Sequence, residues 1–155
     1  MEIRPINIIP HMENREWLVP LDQINVVIEA IIPKLEEHNT LILQGEMGAG
    51  KTSFAVSLLK KIGIQDPEGS PTYSIINEYV LPNQKKLYHI DAYRIKDNSE
   101  AFSLGLDELF EENAIFIVEW AEKIAKFLPE QQVTLTILND SIDERTYILN
   151  HGNRS

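Results

Sequence analysis

The chain has 155 residues, of which 43% are hydrophobic and 25% are charged, as is ordinary for a globular protein. Its 24 acidic and 14 basic residues give a net charge of -10, which argues against tight independent binding to RNA or DNA, because such binding depends on Lys and Arg. Cysteine is absent, which excludes disulfides and thiolate metal sites, and no apolar run is long enough to span a membrane. We therefore expect a single domain over residues 1–155 in the cytosol, with neither membrane nor DNA as a partner.

The first predicted element is a helix that precedes residue 40. Apolar residues recur there at the spacing of one helical face, namely Leu21, Ile24, Val27, Ile31 and Leu35. Pro33 lies inside this pattern and is expected to kink the helix or to make it restart. Residues 1–20 and 151–155 contain no pattern from which we predict an element.

A phosphate-binding loop follows, between a predicted strand and a second predicted helix. The letters G-E-M-G-A-G-K-T at residues 45–52 fit the P-loop pattern G-x-x-x-x-G-K-[ST], after the apolar run 41–43 and before an apolar helical segment that ends near Gly63. Glycines let several N–H groups surround one phosphate, Lys51 can reach the β- and γ-phosphate oxygens, and the Thr52 hydroxyl can ligate Mg²⁺. The predicted nucleotide-binding residues are Gly45, Glu46, Met47, Gly48, Ala49, Gly50, Lys51, Thr52 and Ser53.

Strands and helices alternate through the rest of the chain. Strands are predicted at residues 74–80, 86–91, 114–120, 133–138 and 145–150, and the first two are placed to form a hairpin. Helices are predicted at residues 99–112, with Ser99 as the N-cap and a break near Gly105, and at residues 121–128. This order of elements favours an α/β fold.

Two acids lie where they could face a bound phosphate. Asp91 ends the predicted strand that begins at residue 86, and Glu119 lies at the end of the strand that begins at Ala114. Ligands in open α/β sheets bind at the carboxyl ends of strands, and hydrolysis needs an acid that holds Mg²⁺ or its waters. Either acid by itself could be a surface carboxylate, but two of them in a chain with a P-loop favour a functional role.

Three other polar residues belong to weaker patterns. Thr72, in the segment S-P-T-Y-S, offers a hydroxyl to a metal ion or a water, or is a turn residue after Pro71. His89 has no partner at metal-ligand spacing, so we expect a packed or hydrogen-bonded histidine. Arg94 could stabilise charge in a transition state, although a salt bridge is the more common use of an arginine.

The P-loop leaves several functions open. No N-K-x-D or T-K-x-D motif is present, which favours adenine over guanine. A small-molecule kinase would need a substrate pocket and a lid that bears arginines, and the sequence indicates neither. A nucleotide-sensing module with little turnover needs the same Lys51 and Thr52 as a slow ATPase, so the residues alone do not separate these two. A vestigial loop is disfavoured because Gly50, Lys51 and Thr52 are all intact.

Together these motifs resemble those of the TsaE family, the small ATPases of bacterial tRNA threonylcarbamoyladenosine synthesis. Five segments occur in the family's order, and the resemblance covers roughly residues 20–140. They are G-E-M-G-A-G-K-T-S-F, G-S-P-T-Y-S-I-I-N-E-Y, L-Y-H-I-D-A-Y-R-I, L-G-L-D-E-L-F and I-V-E-W-A-E-K-I. The resemblance implies a P-loop NTPase-like three-layer α/β domain with a mixed, mostly parallel central sheet. It also implies slow, partner-dependent hydrolysis of ATP to ADP and phosphate with Mg²⁺. The implied partner is the TsaD–TsaB heterodimer, with tRNA contacted only through that complex.

The same resemblance implies roles for individual residues. Lys51 corresponds to the phosphate-binding lysine and Thr52 to the hydroxyl that ligates magnesium. Thr72 corresponds to a switch-like threonine, Asp91 to a Walker-B-like acid, and Glu119 to a second acid that ligates magnesium or positions water. The implied catalytic residues are thus Lys51, Asp91, Glu119 and Thr72, and the implied metal ligands are Thr52, Glu119 and Asp91.

The match to the family is incomplete at a few positions. Tyr73 stands where phenylalanine is usual, and Glu46-Met47 stand where Asp-Leu is common, but neither change removes a functional group that the mechanism needs. Trp120 matches the family's tryptophan, either as a core aromatic residue or as a nucleotide contact. The net charge of -10 suits docking on protein better than docking on RNA.

Overall fold

The computed structural model describes residues 2–5, 13–69, 75–139 and 141–153, and its centre is one eight-stranded sheet. The strands, in chain order, are β1 (Glu2–Pro5), β2 (Glu13–Pro20), β3 (Thr40–Gln44), β4 (Ile76–Val80), β5 (Lys86–Asp91), β6 (Ala114–Glu119), β7 (Gln131–Leu138) and β8 (Glu144–Asn153). Their order across the sheet is β1-β2-β8-β7-β3-β6-β5-β4. The predicted hairpin is confirmed as the antiparallel pair β4–β5.

Helices connect the strands. The α-helices are α1 (Asn25–His38), α2 (Lys51–Lys61), α3 (Asn98–Ser103) and α4 (Leu106–Leu109), and 3₁₀-helices span Leu21–Gln23 and Ala121–Phe127. No helix in these described ranges is both long and apolar enough to cross a membrane. Helix α2 ends with hydrogen bonds from Gly63 N to Lys60 O and from Ile64 N to Leu59 O, so the glycine predicted near the end of this helix is confirmed.

The middle of the sheet is parallel and its edges are antiparallel. Strands β7, β3, β6 and β5 run parallel to one another, whereas β4 on one side and β8, β2 and β1 on the other are antiparallel to their neighbours. The two inner strands of this parallel block, β3 and β6, are buried on both faces, as their continuous apolar sequences require. The predicted mixed α/β sheet is confirmed, with its parallel strands in the centre.

Two apolar layers lie on opposite faces of this sheet. Successive side chains of a strand point to opposite faces. Accordingly, Leu41 and Leu43 of β3 belong to the layer that contains residues of α1 and α2, and Ile42 belongs to the layer that contains residues of α3, α4 and the second 3₁₀-helix. Helices therefore cover both faces, which confirms the predicted three-layer arrangement.

Two details of the predicted helices change. Helix α1 runs through Pro33 without restarting, so of the two expected effects of this proline only a kink stays a prediction. Pro33 is exposed, so the carbonyl that loses its partner can bond to water. The N-cap of α3 is Asp97, whose Oδ1 accepts from Glu100 N at 2.8 Å, and Ser99 lies inside the helix. The predicted break near Gly105 is confirmed, because this residue separates α3 from α4.

The two strands nearest the N-terminus, β1 and β2, were not predicted from the sequence. In β2, the buried Trp17 and Val19 alternate with the exposed Leu18, and the strand pairs with β8 along its whole length. Such alternation is typical of a strand with one buried face and could have predicted β2. Its antiparallel partner β8 and the neighbouring β7 confirm the two closing strands that were predicted.

Candidate functional site

The P-loop lies between the end of β3 and the start of α2. Gly45 and Gly50 have φ angles of +157° and +106°, in a region that other residues rarely adopt. Helix α2 begins at Lys51, directly after Gly50, so its unpaired N–H groups open onto the loop. The chain therefore brings a tight glycine turn and a helix N-terminus together, which is the arrangement that binds phosphate.

The predicted loop residues differ in exposure. The exposed ones are Glu46, Met47, Gly48 and Ser53. Ala49 is buried in the layer of α1 and α2, and its carbonyl accepts a hydrogen bond from Arg145 Nε at 3.2 Å. Ala49 therefore anchors the loop to β8. No sequence motif identifies Arg145, because it follows Ala49 by 96 residues and only the sheet brings the two together.

Replacing Gly45 with alanine is expected to lower the free energy of unfolding by about 1–3 kcal/mol. A Cβ at this position would lie 2.8 Å from the carbonyl oxygen of Ile137 and 3.1 Å from the Cβ of Ala49. Gly48→Ala is the matched control, because φ is +83° there but, apart from its two chain neighbours, none of the described residues has an atom within 4 Å of the added Cβ. Urea unfolding measures both variants, and equal losses would show that the contact with β7 is unimportant.

Three polar residues of β5 and β6 face α2. Leu87 of β5 and Ile117 of β6 pack in the layer of α1 and α2. His89 and Asp91 follow Leu87 at steps of two residues, and Glu119 follows Ile117 in the same way, so all three share that face. Asp91 lies opposite Glu119 in the parallel pair. The two acids are therefore neighbours at the carboxyl ends of adjacent strands, as the sequence predicts.

Glu119 connects β6 to both α2 and β5. Its side chain is only 2% exposed. The Thr52 hydroxyl donates to this carboxylate, at 3.1 Å from Oε1 and 3.4 Å from Oε2. Nε2 of the fully buried His89 lies 2.7 Å from Oε2. The expected packed and hydrogen-bonded histidine is confirmed, but the sequence does not predict that its partner is Glu119.

Lys51 is buried between the loop and a tryptophan. Its ammonium donates to the Gly45 carbonyl and lies 3.9 Å from the centre of the Trp120 ring. Burial lowers the pKa of the Lys51 ammonium, and the charges of three nearby acids, led by Glu119, oppose that shift. A phosphate bound here would have to replace the carbonyl and the ring as partners of the ammonium.

Asp91 and the turn that follows it border the same site. Asp91 is half-buried, and its Oδ1 accepts from Tyr93 N at 3.0 Å. The rings of Tyr93 and Trp120 lie 5.0 Å apart, so this turn contacts the tryptophan that covers the ammonium. Arg94 is exposed on the same turn. Thr72, the remaining predicted catalytic residue, lies outside the described residues.

A cavity of about 210 Å³ opens beside the P-loop. It is lined by Leu43, Gln44, Gly45, Lys51, Trp120 and Glu122. Pockets for small molecules usually measure about 300–1,000 Å³, so this cavity is smaller than one that encloses a whole nucleotide. No motif in the sequence identifies Gln44 or Glu122 as lining residues.

The donor atoms of the site suit a hard cation that is shared with phosphate oxygens. Within the ranges that the structure describes, no group of three His, Cys, Asp or Glu is placed to hold a metal ion. The Thr52 hydroxyl and the Glu119 carboxylate are in contact, and Mg²⁺ prefers oxygen ligands, commonly one or two carboxylates together with substrate phosphates. The residues present therefore fit Mg²⁺ bound together with a nucleotide.

Comparison with known proteins gives one family. The family model described as "Threonylcarbamoyl adenosine biosynthesis protein TsaE" matches residues 20–147. The tRNA threonylcarbamoyladenosine biosynthesis protein TsaE of Bacillus subtilis is 43% identical over 110 residues, which are 69% of this chain and 66% of that protein. The protein of the same name from Treponema pallidum is 36% identical over 66% of this chain and 75% of its own length. The crystal structure of Bacillus subtilis YdiB is similar with a TM-score of 0.67 and 28% identity, over 92% of this chain and 88% of that one.

Proposed function

The chain belongs to the TsaE family of threonylcarbamoyl adenosine biosynthesis, and on that premise we propose that it binds ATP with Mg²⁺ and slowly hydrolyses ATP to ADP and phosphate. It acts in the cytosol on a TsaD–TsaB heterodimer. One observation carries the proposal: the Thr52 hydroxyl at the start of the P-loop helix contacts the buried Glu119 carboxylate, beside the buried Lys51.

The loop and Lys51 bind the phosphates of ATP. The N–H groups of the loop and of the first turn of α2 donate to phosphate oxygens. The Lys51 ammonium exchanges the Gly45 carbonyl and the Trp120 ring for β- and γ-phosphate oxygens. Because the ammonium is already buried in the fold, it needs little further loss of water when the phosphate arrives, and this preorganisation favours stabilisation of the developing charge.

Thr52 and Glu119 would hold Mg²⁺, with Asp91 beside them on the next strand. An ion bound there would supply positive charge that offsets the negative charge developing as the γ-phosphoryl group is transferred to water. Glu119 is buried and directly contacts Thr52. Asp91 is half-buried, and one of its oxygens already accepts from Tyr93 N. We therefore assign the larger role at the metal to Glu119.

The partner in this proposal is protein rather than RNA. The net charge of -10 disfavours direct binding to the tRNA backbone, so tRNA is reached only through TsaD–TsaB, which carries out the group transfer. Tyr93 is 47% exposed and contacts Trp120, so the turn after β5 links the surface to the site around Lys51. The segment S-P-T-Y-S, which contains Thr72, is the second proposed contact.

ATP turnover by the chain alone and with purified TsaD–TsaB tests the proposal. We expect slow basal release of phosphate that rises when the heterodimer is added, because a partner that contacts the turn after β5 also acts on the site. Turnover that the partner leaves unchanged, together with phosphate transfer to a metabolite, would favour a small-molecule kinase. Nucleotide binding without phosphate release under either condition would favour a sensing module.

A further inference from the structure

We propose that His89 is a positioning residue. It holds the Glu119 carboxylate in the orientation that places one carboxylate oxygen beside the Thr52 hydroxyl. The inference rests on the proposed function, because it concerns how Glu119 is prepared for Mg²⁺ that binds with a nucleotide. His89 touches neither the nucleotide nor the metal in this assignment and acts only through Glu119.

The contact between the two side chains is short and enclosed. His89 Nε2 lies 2.7 Å from Glu119 Oε2, and the two residues are 0% and 2% exposed. The buried polar side chains of the described residues are Thr40, Lys51, His89, Glu119 and Thr146. Burying a polar ring in an apolar layer is unfavourable unless its hydrogen bonds compensate. A leucine would fill this space without that penalty, so the polarity of His89 points to its bond with Glu119.

The second ring nitrogen indicates where the imidazole proton lies. Nδ1 of His89 is buried and has no hydrogen-bond partner among the residues that the structure describes. A proton on Nδ1 would leave a buried donor unpaired, whereas a proton on Nε2 can be donated to the carboxylate. The favoured tautomer is therefore the one in which Nε2–H donates to Oε2 of Glu119.

This bond divides the two carboxylate oxygens between two partners. His89 lies opposite Ile117, two residues before Glu119, so the bond crosses diagonally from β5 to β6 and opposes rotation of the carboxylate. With Oε2 held by His89, Oε1 is the oxygen nearer to the Thr52 hydroxyl, at 3.1 Å. Replacing a residue that forms a hydrogen bond with a metal ligand typically lowers metal affinity or activity by about 10–100-fold.

Two substitutions separate positioning from packing. In His89→Gln, the amide Nε2 is reached from Cβ through the same number of bonds as the imidazole Nε2, so it can still donate to Glu119. In His89→Asn, the amide nitrogen takes the place of Nδ1 and cannot. Calorimetric titrations with ADP at increasing Mg²⁺, and with EDTA, measure the metal requirement without any turnover.

The native chain is expected to bind ADP more tightly with Mg²⁺. The Mg²⁺ concentration that gives half of this gain should rise about 10–100-fold in His89→Asn and stay close to native in His89→Gln. ADP affinity in EDTA should be the same in all three proteins. The positioning role is wrong if both variants shift the Mg²⁺ requirement equally or if neither shifts it. It is also wrong if the affinity for ADP in EDTA falls as much as the affinity for ADP with Mg²⁺.

Phosphate release from ATP, measured beside these titrations, separates this inference from the proposed ATPase activity. A native chain that shows the expected Mg²⁺ dependence and variant pattern but releases no phosphate from ATP would contradict hydrolysis and leave the role of His89 intact. A native chain that binds no nucleotide would overturn both. If His89→Asn does not fold, ¹⁵N NMR of the native ring decides: the Nε2–H tautomer is expected, and an Nδ1–H tautomer would overturn the assignment.

Discussion

The Lys51→Ala variant is expected to hydrolyse ATP at least about a hundredfold more slowly than the native chain, with or without TsaD–TsaB. Lys51 is the first residue of α2, and its ammonium can reach the phosphate oxygens on which charge develops. Removing one preorganised donor to such charge typically lowers turnover by about 10²–10³. Phosphate release under steady-state and single-turnover conditions measures the loss and shows whether it lies in the chemical step.

Lys60→Ala is the matched control for this variant. Lys60 is exposed in the last turn of the same helix, and its removal changes the net charge by the same amount. Native turnover in Lys60→Ala together with a large loss in Lys51→Ala assigns the effect to the position of Lys51. Similar turnover in the two variants would contradict a phosphate-binding role for the loop.

The loss in Lys51→Ala is not expected to result from unfolding. Burial lowers the pKa of the Lys51 ammonium, so the folded chain holds this proton less tightly than the unfolded chain does. At pH values between the lowered and the ordinary pKa, the unfolded chain therefore binds more protons than the folded chain does. The native chain consequently gains stability relative to Lys51→Ala as the pH rises through that range. Thermal unfolding of both proteins at neutral and alkaline pH checks this sign.

The parts of the site that lie close together in sequence could be predicted. The turn at Gly45 and the start of α2 at Lys51 depend on neighbouring residues, since glycine and the helix N-terminus act locally. Asp91 and Glu119 could be placed at strand ends because each closes an apolar run. Their adjacency follows from a general property of α/β sheets, in which the carboxyl ends of parallel strands share one edge.

The contacts within the site depend on register and strand order, which local patterns do not encode. A shift of one residue between β5 and β6 would turn His89 to the opposite face and remove its bond to Glu119. The bond from Arg145 to the Ala49 carbonyl requires β8 to lie near the loop, which the strand order alone decides. The sequence therefore predicts where the candidate site residues lie along the chain but not the contacts that hold them.

Glu119→Gln is expected to lower turnover by about a hundredfold or more and to remove most of the gain in ADP affinity that Mg²⁺ confers. Glutamine has nearly the same shape, so Thr52 and His89 keep a hydrogen-bond partner, whereas its neutral amide is a weaker ligand for Mg²⁺ than a carboxylate. Phosphate release and calorimetric ADP titrations with and without Mg²⁺ measure the two effects.

Glu122→Gln is the control for the loss of charge alone. Glu122 is exposed and lines the cavity beside Lys51, and its charge raises the Lys51 pKa next after that of Glu119. A large loss in Glu119→Gln with a small loss in Glu122→Gln assigns the effect to the carboxylate that contacts Thr52. Losses of similar size would show that only the negative field around Lys51 matters, and the magnesium assignment would then be wrong.

Glu119 also acts on Lys51 through its charge, and pH separates this effect from metal binding. Among the acids that raise the Lys51 pKa against burial, Glu119 has the largest effect. Without it the Lys51 pKa falls further, so ADP affinity in EDTA should decline at a lower pH in Glu119→Gln than in the native chain. The weaker response to Mg²⁺, by contrast, should be present at every pH at which Lys51 is charged. If Glu119→Gln keeps the native pH dependence of ADP affinity in EDTA but loses the response to Mg²⁺, Glu119 acts on the metal alone. If its pH dependence shifts and the response to Mg²⁺ is intact, Glu119 acts on the charge of Lys51 alone.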